Sequence, residues 1–496
     1  MTQRLRETDR KFFTLVSEAA FENPFGARRS HLDAEITEGR SDDPEWTARM
    51  LSRLDARLHA LAPLSLRDYS EADRELLENS LLFEAFHRFL TPFDRLIDRQ
   101  AQERDTVVRA EFADELLQSL GSRGIDADRA QRALELFYQM RRAYRFIEQG
   151  LTGKSDCMRG LRESLWQAVF TRDIARYERH LWNRMEDFST IIVGETGTGK
   201  GAAAAAIGLS GFIPYDAKKK SFANSFHPSF VPIHLNEFPE TLFESEIFGH
   251  RKGSFTGAVD NHEGALSRCP PHGTVFFDEI GEATLPVQVK LLRVLQDRIY
   301  TPVGSRESRR FHGRILAATH RSLPELRQSG AMRDDFFYRL CSNVIEVPAL
   351  RERIAQSPSE LPELVAHLCA RITGNPAPAL AEQVTAQLTS DLGPRYAFPG
   401  NVRELEQCVR RTLMTGSCKP DDKLLAASGD AHEKLVAALR EGALGANALV
   451  ERYCALLYER SHNYVEVARI TGLDRRTVKK HIESQISGAP KAAPSR

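Results

Sequence analysis

Cysteine is scarce in this chain, whose 496 residues include seven, at positions 157, 269, 341, 369, 408, 418 and 454. They form no C-x-x-C pair, and such dispersed spacing argues against a zinc site and against a disulfide framework. We therefore predict buried thiols in a reducing compartment.

Long hydrophobic runs and net charge are also missing. No apolar run approaches the roughly 20 residues needed to span a bilayer, and the start MTQRLRETDRKFF has no signal-peptide apolar region. We therefore expect a cytoplasmic protein without a membrane partner. Because 68 Lys and Arg residues balance 68 Asp and Glu residues, any attraction to nucleic acid must come from a local basic patch.

Residues 1–150 have a helical pattern with few strand-like runs. Apolar residues recur at helical spacing in RELLENSLLFEAFHRFLTPFDRLI, which Pro92 should kink or split, and again from Ala133 to Ile147. Such aromatic stripes are usually packing faces. We predict a helical N-terminal regulatory domain over residues 1–150, and the sequence does not indicate which signal it senses.

From about residue 190, strand-like and helix-like segments alternate. STIIV, GTVFFDEIGE and GRILAATH have the character of buried strands, whereas AAAAAIGL and PVQVKLLRVLQD have that of helices. This alternation predicts an α/β core with a parallel sheet over residues 151–350. Helical segments follow over 351–425, then a polar linker around 416–447, a helical unit over 430–488 and a disordered tail over 489–496.

The segment GETGTGK has the G-x-x-x-x-G-K pattern of a phosphate-binding loop and lies between a predicted strand and a predicted helix. Its glycines allow backbone N–H groups to point at phosphate oxygens, and its lysine can reach the terminal phosphates. A Gly-rich turn without a ligand is the alternative. The next position, where a Ser or Thr hydroxyl usually binds magnesium, holds glycine. The ATP-binding candidates are thus Gly194, Glu195, Thr196, Gly197, Thr198, Gly199, Lys200 and Gly201.

Two adjacent acids follow the buried run VFF at the carboxyl end of a predicted strand, where ligands bind in parallel sheets. Asp278 would hold magnesium, directly or through water, and Glu279 would orient and polarise the attacking water. A helix N-cap is the alternative for such a pair. The phosphate loop about 80 residues upstream favours the catalytic role.

These motifs and several others occur in an order that resembles a known family. GETGTGKG, ESEIFGHRKGSFTGA, GTVFFDEIGEATLPVQVKLLRVLQ, ATHRSL, MRDDFFYRL, VPALRER and FPGNVRELEQ succeed one another as in the AAA+ ATPase domain of bacterial sigma-54-dependent transcriptional activators, the enhancer-binding proteins. The resemblance covers roughly residues 155–415. It implies a P-loop sheet over 151–350, a helical lid over 351–425, and ATP and Mg²⁺ as cofactors.

The resemblance also implies a role for the stretch GSFTGA, which differs from the Gly-Ala-Phe-Thr-Gly-Ala loop of the family by one serine. In the family this loop contacts the sigma factor. Flanking glycines can act as pivots, and the phenylalanine can anchor a partner. Glu246 and Arg251 are candidates for coupling the loop to the nucleotide, with solvated charges as the alternative. The implied sigma-contact loop consists of Gly253, Ser254, Phe255, Thr256, Gly257 and Ala258.

Three arginines complete the implied ATPase. Arg333 and Arg339 resemble the family's pair that acts in trans on the nucleotide of a neighbouring subunit, since a guanidinium stabilises charge on the transferring phosphoryl group. The alternative for each is a salt bridge to Asp334 or Asp335. Arg403 resembles the lid arginine that senses the phosphates in cis.

Three positions depart from the family pattern. The residue after the loop lysine is Gly201 where the family usually has Glu. His234 stands where an Asn usually restrains the catalytic glutamate, and His320 stands at the sensor position, which is also usually Asn. Because neutral histidine both donates and accepts a hydrogen bond, hydrolysis is expected to persist with altered tuning.

The segment NYVEVARITGLDRRTVKKHIES predicts a helix-turn-helix. The first helix ends at Ile470, a Thr-Gly-Leu turn follows, and Asp474 caps the second helix. The segment resembles the Fis-type DNA-binding domain that ends these activators, and a solvated basic face is the alternative. The second helix carries the DNA-binding candidates Arg475, Arg476, Thr477, Lys479 and Lys480, of which the lysines are expected on phosphates and the others near base edges.

Taken together, the sequence predicts a transcriptional activator that binds upstream double-stranded DNA as a dimer, assembles into a ring, by resemblance a hexamer, and hydrolyses ATP to remodel the RNA polymerase holoenzyme containing sigma-54. A DNA-binding repressor or scaffold that keeps the fold without hydrolysis is the main alternative. A general AAA+ unfoldase or loader is a third, and it would not depend on sigma-54.

Overall fold

The computed structural model describes residues 3–39, 45–61, 65–419, 445–461 and 463–487. The chain divides into two compact units, Met1–Ser417 and Cys418–Arg496. The predicted tail, most of the predicted linker and the first part of the predicted C-terminal domain lie outside the described residues. The described helices include none whose length and hydrophobicity would let it span a lipid bilayer.

Helices make up the N-terminal part of the first unit. The helix break expected near Pro92 is confirmed, because one helix ends at Arg88 and the next begins at Leu90, with Pro92 in its first turn, where a missing N–H is tolerated. Phe93 and Phe137 are buried in the core, which confirms their role as packing residues. The described helices here are α1 Glu7–Phe21, α2 Ala27–Thr37, α3 Trp46–Ala60, α4 Glu71–Arg88, α5 Leu90–Glu103, α6 Ala113–Ser122 and α7 Ala127–Gly150.

A parallel sheet forms the centre of the first unit and confirms the predicted α/β core. Five strands pair in the order β4-β5-β8-β1-β9, all parallel to their neighbours. Two short antiparallel pairs, β2 with β3 and β6 with β7, lie outside it. The strands are β1 Thr190–Val193, β2 Tyr215–Asp216, β3 Ser221–Phe222, β4 Phe230–His234, β5 Thr274–Asp278, β6 Ile299–Tyr300, β7 Arg309–Arg310, β8 Arg314–Thr319 and β9 Asn343–Glu346.

Helices cover both faces of this sheet. Since successive strand residues point to opposite sides, neighbouring residues of one strand pack against different helices. Phe276 of β5 packs in one apolar cluster and Phe277 in the other. The helices beside the sheet are α8 Asp156–Phe170, α9 Ile174–Arg176, α10 Lys200–Gly208, α11 Glu240–Phe248, α12 Ala265–Arg268, α13 Leu285–Asp297, α14 Leu323–Gln328 and α15 Asp334–Leu340. The helical lid that follows consists of α16 Leu350–Gln356, α17 Glu360–Thr373, α18 Pro378–Leu392 and α19 Asn401–Thr415.

The second unit holds three described helices, α20 Ala446–Ser461, α21 Tyr464–Thr471 and α22 Arg475–Ser487. One buried residue from α20, one from α21 and two from α22 form its core: Cys454, Val467, Val478 and Ile482. This small apolar centre fixes the angle between α21 and α22, the two helices of the predicted helix-turn-helix.

Glycine occupies two positions of α10 that differ in their surroundings. An added Cβ at Gly208 would lie 2.2 Å from the Cδ2 atom of Phe230, whereas nothing lies within 4 Å of one at Gly201. Gly208→Ala should therefore destabilise the first unit by about 1–3 kcal/mol through overpacking. Gly201→Ala should instead stabilise it by up to ~1 kcal/mol through helix propensity. Thermal unfolding of both variants gives the two signs, and shifts of the same sign would contradict the packing at Gly208.

Candidate functional site

A cavity of about 450 Å³ opens where the phosphate loop, the ends of β4 and β5 and the lid meet. Six of the eight predicted loop residues line it, together with both acids, the predicted sensor histidine His234 and the predicted lid arginine, whereas Gly194, Glu195 and His320 do not. Its lining includes residues 196–202, Leu151, Thr152, Met158, His234, Asp278, Glu279, His367, Arg371 and Arg403. The structure thus brings into one place groups that are separated by about 200 residues of sequence.

Lys200 is held inside the phosphate loop. Its Nζ donates to the carbonyl oxygens of Gly194 at 2.9 Å and Glu195 at 3.1 Å. It also lies 4.0 Å from Oε1 of Glu279, and its side chain is 7% exposed. Burial lowers the pKa of this ammonium group. The loop therefore presents a buried cation that can exchange backbone carbonyls for phosphate oxygens.

Gly197 is the point where the phosphate loop touches the lid. Its φ is +81°, and an added Cβ would lie 2.3 Å from the carbonyl oxygen of Gly400 and 2.9 Å from Cβ of Arg403. The N–H of Val402 donates to the Gly197 carbonyl at 3.0 Å. Only glycine meets both requirements, and this contact places α19, with Arg403 on it, at the cavity.

A second contact joins the loop to the lid through Glu195. Both terminal nitrogens of Arg351 donate to its carboxylate, at 2.7 and 2.6 Å, and Nδ2 of Asn401 donates at 3.1 Å. Hydrogen bonds from Arg351 and Asn401 lower the pKa of Glu195 to about 2. Sequence reasoning missed both partners, although they stand in the motifs VPALRER and FPGNVRELEQ. Glu195, Arg351 and Asn401 form the latch, a set of one ion pair and hydrogen bonds that joins the loop to the lid.

Each of the two acids is held by a histidine. Nδ1 of His234 lies 3.1 Å from Oδ2 of Asp278. His320 approaches Glu279 twice, through Nδ1 at 2.7 Å and through its backbone N–H at 3.1 Å, both to Oε2. The family pattern placed His234 near the catalytic glutamate, whereas here it contacts the aspartate and His320 contacts the glutamate.

Glu279 has an unusual backbone. Its φ of +56° and ψ of +50° place it in the left-handed region, which costs a residue with a Cβ about 1–2 kcal/mol. Such strain persists where surrounding contacts determine the conformation. The hydrogen bonds from His320 supply those contacts and direct the carboxylate toward the cavity.

Arg333 and Arg339 do not line the cavity of their own chain. Arg333 makes a bidentate pair with Asp335, at 3.0 and 2.8 Å, which is the intramolecular bridge that the sequence left open. Arg339 donates from Nε to the carbonyl oxygen of Leu295 at 3.3 Å. Both side chains are on the surface.

The GSFTGA loop closes on itself through the N–H of Gly253, which donates to the carbonyl oxygen of Ala258 at 2.8 Å. Gly253 and Gly257 have φ values of +76° and +101°. Phe255 is 38% exposed, and its ring centroid lies 4.9 Å from that of His250 in an edge-on arrangement. The ring of Phe255 therefore contacts His250 at the base of its own loop and remains partly exposed.

The two coupling candidates lie near this loop. Glu246 lies 3.4 Å from Nε2 of His262, whose ring is stacked with that of His250 at 5.5 Å. Arg251 pairs with Glu307 at 3.0 Å. Glu246 thus contacts the histidine pair that supports the loop, whereas Arg251 points to an exposed carboxylate.

Helix α22 presents the predicted basic surface of the second unit. Arg475, Arg476, Lys479 and Lys480 are exposed. Asp474 accepts from the N–H groups of Arg476 at 2.9 Å and Thr477 at 3.0 Å, as predicted for the N-cap. The Thr477 hydroxyl also donates to Asp474, and these bonds lower the pKa of that carboxyl. Thr477 therefore serves the helix start in this structure.

Comparison with known families identifies the class of the central domain. Residues 172–347 match the family described as the Sigma-54 interaction domain. This match confirms the resemblance drawn from the motifs of the central domain.

Curated relatives extend the similarity beyond this domain. The chain is 34% identical over 328 residues to the DNA-binding transcriptional regulator NtrC of Azospirillum brasilense, which covers 60% of this chain and 64% of the relative. It is 35% identical over 308 residues to the Nif-specific regulatory protein of Azotobacter vinelandii, covering 61% and 54%. The Sigma54-dependent transcriptional activator SfnR of Pseudomonas putida is 36% identical over 230 residues, covering 46% and 57%. The chain thus spans less than two thirds of the length of these relatives.

Among solved structures, NtrX from Brucella abortus in complex with ATP is similar with a TM-score of 0.42 and 22% identity, covering 75% of this chain and 80% of that one.

Removing the charge of Glu195 should weaken the latch between loop and lid. Because both side chains of the Glu195–Arg351 pair are 44% exposed, Glu195→Gln should cost about 1 kcal/mol or less. The depressed pKa means that the contribution is present above pH 4.5 and is lost as the pH falls toward 2. The melting temperatures of wild type and variant should therefore differ by the same amount at pH 7 and pH 5. The control is Glu352→Gln, which removes a carboxylate 3.9 Å from the same arginine. If the difference in melting temperature between wild type and Glu195→Gln vanished between pH 7 and pH 5, the depressed pKa of Glu195 would be contradicted.

Proposed function

We propose that the chain is an ATP-hydrolysing transcriptional activator that binds upstream double-stranded DNA, assembles from dimers into a ring, and remodels the RNA polymerase holoenzyme containing sigma-54. One observation carries the proposal: a buried loop lysine and two strand-end acids of the matched sigma-54 interaction domain, residues 172–347, line a single cavity together with a lid arginine. The similarity to transcriptional regulators supports it.

The cavity has the groups that ATP and Mg²⁺ require. Asp278 would hold Mg²⁺, directly or through water, whereas Gly201 would supply no hydroxyl ligand. When bound, Mg²⁺ neutralises charge on the terminal phosphates. Lys200 binds the terminal phosphate oxygens, Glu279 orients the attacking water, and Arg403 contacts the phosphates from the lid.

The two histidines determine how the acids are presented. His320 holds the carboxylate of Glu279, so the orientation of the water-activating group depends on this side chain. His234 competes with a cation for Asp278, because a carboxylate oxygen that accepts from an imidazole is less available to Mg²⁺. ATP turnover should therefore be tuned by both residues.

Arg333 and Arg339 act in trans in this proposal. Both are exposed and lie away from the cavity of their own chain, which suits a head-to-tail ring in which each subunit completes its neighbour's site. Arg333 would exchange Asp335 for the neighbour's phosphates.

The loop that carries Phe255 is the mechanical output. Nucleotide-dependent movement of Phe255 away from His250 would expose its ring for a contact with sigma-54, with Thr256 beside it, while Gly253 and Gly257 act as pivots. In the second unit, Lys479 and Lys480 would bind DNA phosphates while Arg475 and Arg476 reach base edges.

Lys200→Ala and Asp278→Asn should each reduce ATP hydrolysis about 100-fold or more, because one removes the phosphate-binding cation and the other the magnesium ligand. Glu282→Gln changes an exposed carboxylate four residues from Asp278 and should stay within twofold of wild type. Phosphate release with Mg²⁺ and ATP measures all four proteins. Equal and negligible rates in wild type and both site variants would instead favour the DNA-binding scaffold.

Phe255→Ala should leave ATP hydrolysis within about twofold of wild type and abolish the opening of sigma-54 promoters, since the loop works downstream of hydrolysis. Val259→Ala is the matched control, because Val259 is an apolar residue that is 70% exposed and follows the loop directly. Open-complex formation with purified sigma-54 holoenzyme measures the effect. Promoter opening by Phe255→Ala at the wild-type level would remove the sigma-contact role and favour a general AAA+ remodeller.

A further inference from the structure

Residues 209–226, which form most of the connection between α10 and β4, pack against the N-terminal helices. Ile213, Tyr215, Phe222 and Phe226 are buried in the same apolar cluster as α7 residues. The ring of Phe222 stacks on that of Tyr138 with centroids 3.8 Å apart. This segment of the ATPase therefore shares its core with the N-terminal region.

Backbone hydrogen bonds reinforce this packing. The N–H of Ala110 donates to the carbonyl oxygen of Lys220 at 2.9 Å, and Arg109 pairs with Ser221 in an antiparallel bridge. The N–H of Tyr215 donates to Glu135 of α7 at 3.0 Å. The β2–β3 hairpin is thus bonded to two N-terminal elements as well as packed against them.

Arg142 of α7 binds the segment where α10 ends. Its two terminal nitrogens donate to the carbonyl oxygens of Leu209 and Gly211, each at 2.6 Å. Gln139, one turn away, donates to the carbonyl oxygen between them, that of Ser210, at 3.0 Å. Three consecutive carbonyl groups after the last residue of α10 are therefore satisfied by α7.

The burial of the charged Arg142 side chain in this arrangement costs free energy. Its side chain is fully buried, and burial lowers the pKa of the guanidinium group. None of the ion pairs in the described residues involves Arg142. The ring of Tyr138 lies 4.5 Å away, and the carboxyl end of a helix attracts cations. The negative end of α10 is thus the partner of this buried charge.

Helix α10 connects Arg142 to the phosphate loop. It is nine residues long, about 13 Å at 1.5 Å per residue, and its first residue is Lys200. The segment after it leads into β4, whose last residue is His234. Movement at the end of α10 is therefore transmitted to the phosphate loop at its start, and misplacement by about 1 Å can cost about 100-fold in rate.

We propose that Arg142 is a positioning residue for ATP turnover. The N-terminal helices then contribute to the geometry of the ATPase site. Arg142 fixes the end of α10 and thereby the place of Lys200 in the cavity. The inference rests on the proposed ATP hydrolysis.

The test uses four full-length variants: Arg142→Met, Arg142→Lys, Gln139→Met and Arg145→Met. Arg145 lies on the same helix and pairs with Asp94 and Asp98 of α5, so Arg145→Met removes an equivalent arginine whose partners are on another helix. The variants are assayed below their melting temperatures for kcat and for KM of Mg·ATP. Amide hydrogen exchange is followed over residues 196–226.

Arg142→Met should raise KM at least fivefold or lower kcat at least tenfold while the chain remains folded, and it should accelerate exchange in residues 200–211. Arg142→Lys should lie between this variant and wild type, because an ammonium group cannot span both carbonyls in the same fork geometry. Arg145→Met should match wild type. Should Arg142→Met fail to fold, Gln139→Met and Arg142→Lys carry the same expectation in weaker form.

A lower melting temperature with unchanged kcat, KM and local exchange would overturn the proposal, because Arg142 would then serve stability alone. Equal kinetic losses in Arg145→Met would also overturn it. If wild type hydrolyses no ATP, the proposed function fails separately. The positioning role is then decided by the affinity for ADP, measured by calorimetry, and by exchange in residues 200–211, which should change in Arg142→Met and not in Arg145→Met.

Discussion

The parallel register of β4, β5 and β8 is the constraint on which the site depends. His234 pairs with Asp278 across β4 and β5, and Val193 of β1 pairs with Thr319 of β8, so four strands end at one edge of the sheet. Everything that follows a strand end, from the phosphate loop to His320, is brought to that edge. A slip of one residue would turn Asp278 to the opposite face and separate it from both histidine and loop.

The phosphate loop is held from two sides by helical domains. The lid binds the start of the phosphate loop through Glu195 and its middle through Gly197. Arg142 of the N-terminal region binds the end of α10, the helix that follows the loop. Both attachments use hydrogen bonds from charged or backbone groups, and such bonds have a specific geometry. The phosphate loop and the helix that follows it therefore connect the lid to the N-terminal helices.

The parts of the fold and site that could be predicted from the sequence are those specified by short sequence motifs. The glycine pattern, the acids after VFF and the cap at Asp474 each lie within a few residues of the structure they specify, and all were found where expected. Contacts between distant residues were not predictable. Arg142 lies 67 residues from Leu209, and the helical period of α7 is the same whichever partner covers it. That His234 contacts Asp278 and His320 contacts Glu279 likewise depends on side-chain placement across the strand ends.

Magnitudes indicate why the GSFTGA loop is suited to being moved. The described contacts of Phe255 are the edge-on ring contact with His250 and a backbone hydrogen bond within the loop, from the Ala258 N–H to the Phe255 carbonyl oxygen, worth about 0.5–1.5 kcal/mol each. Reversing a two-state population from 1:99 to 99:1 takes about 5.5 kcal/mol of differential binding. The resting contacts of Phe255 together amount to less than this, so in the proposed mechanism a nucleotide with such a differential affinity would be sufficient to release the ring. If the contacts of the loop were much stronger, nucleotide binding would not move it. Without the His250 contact, Phe255 would be exposed in every state.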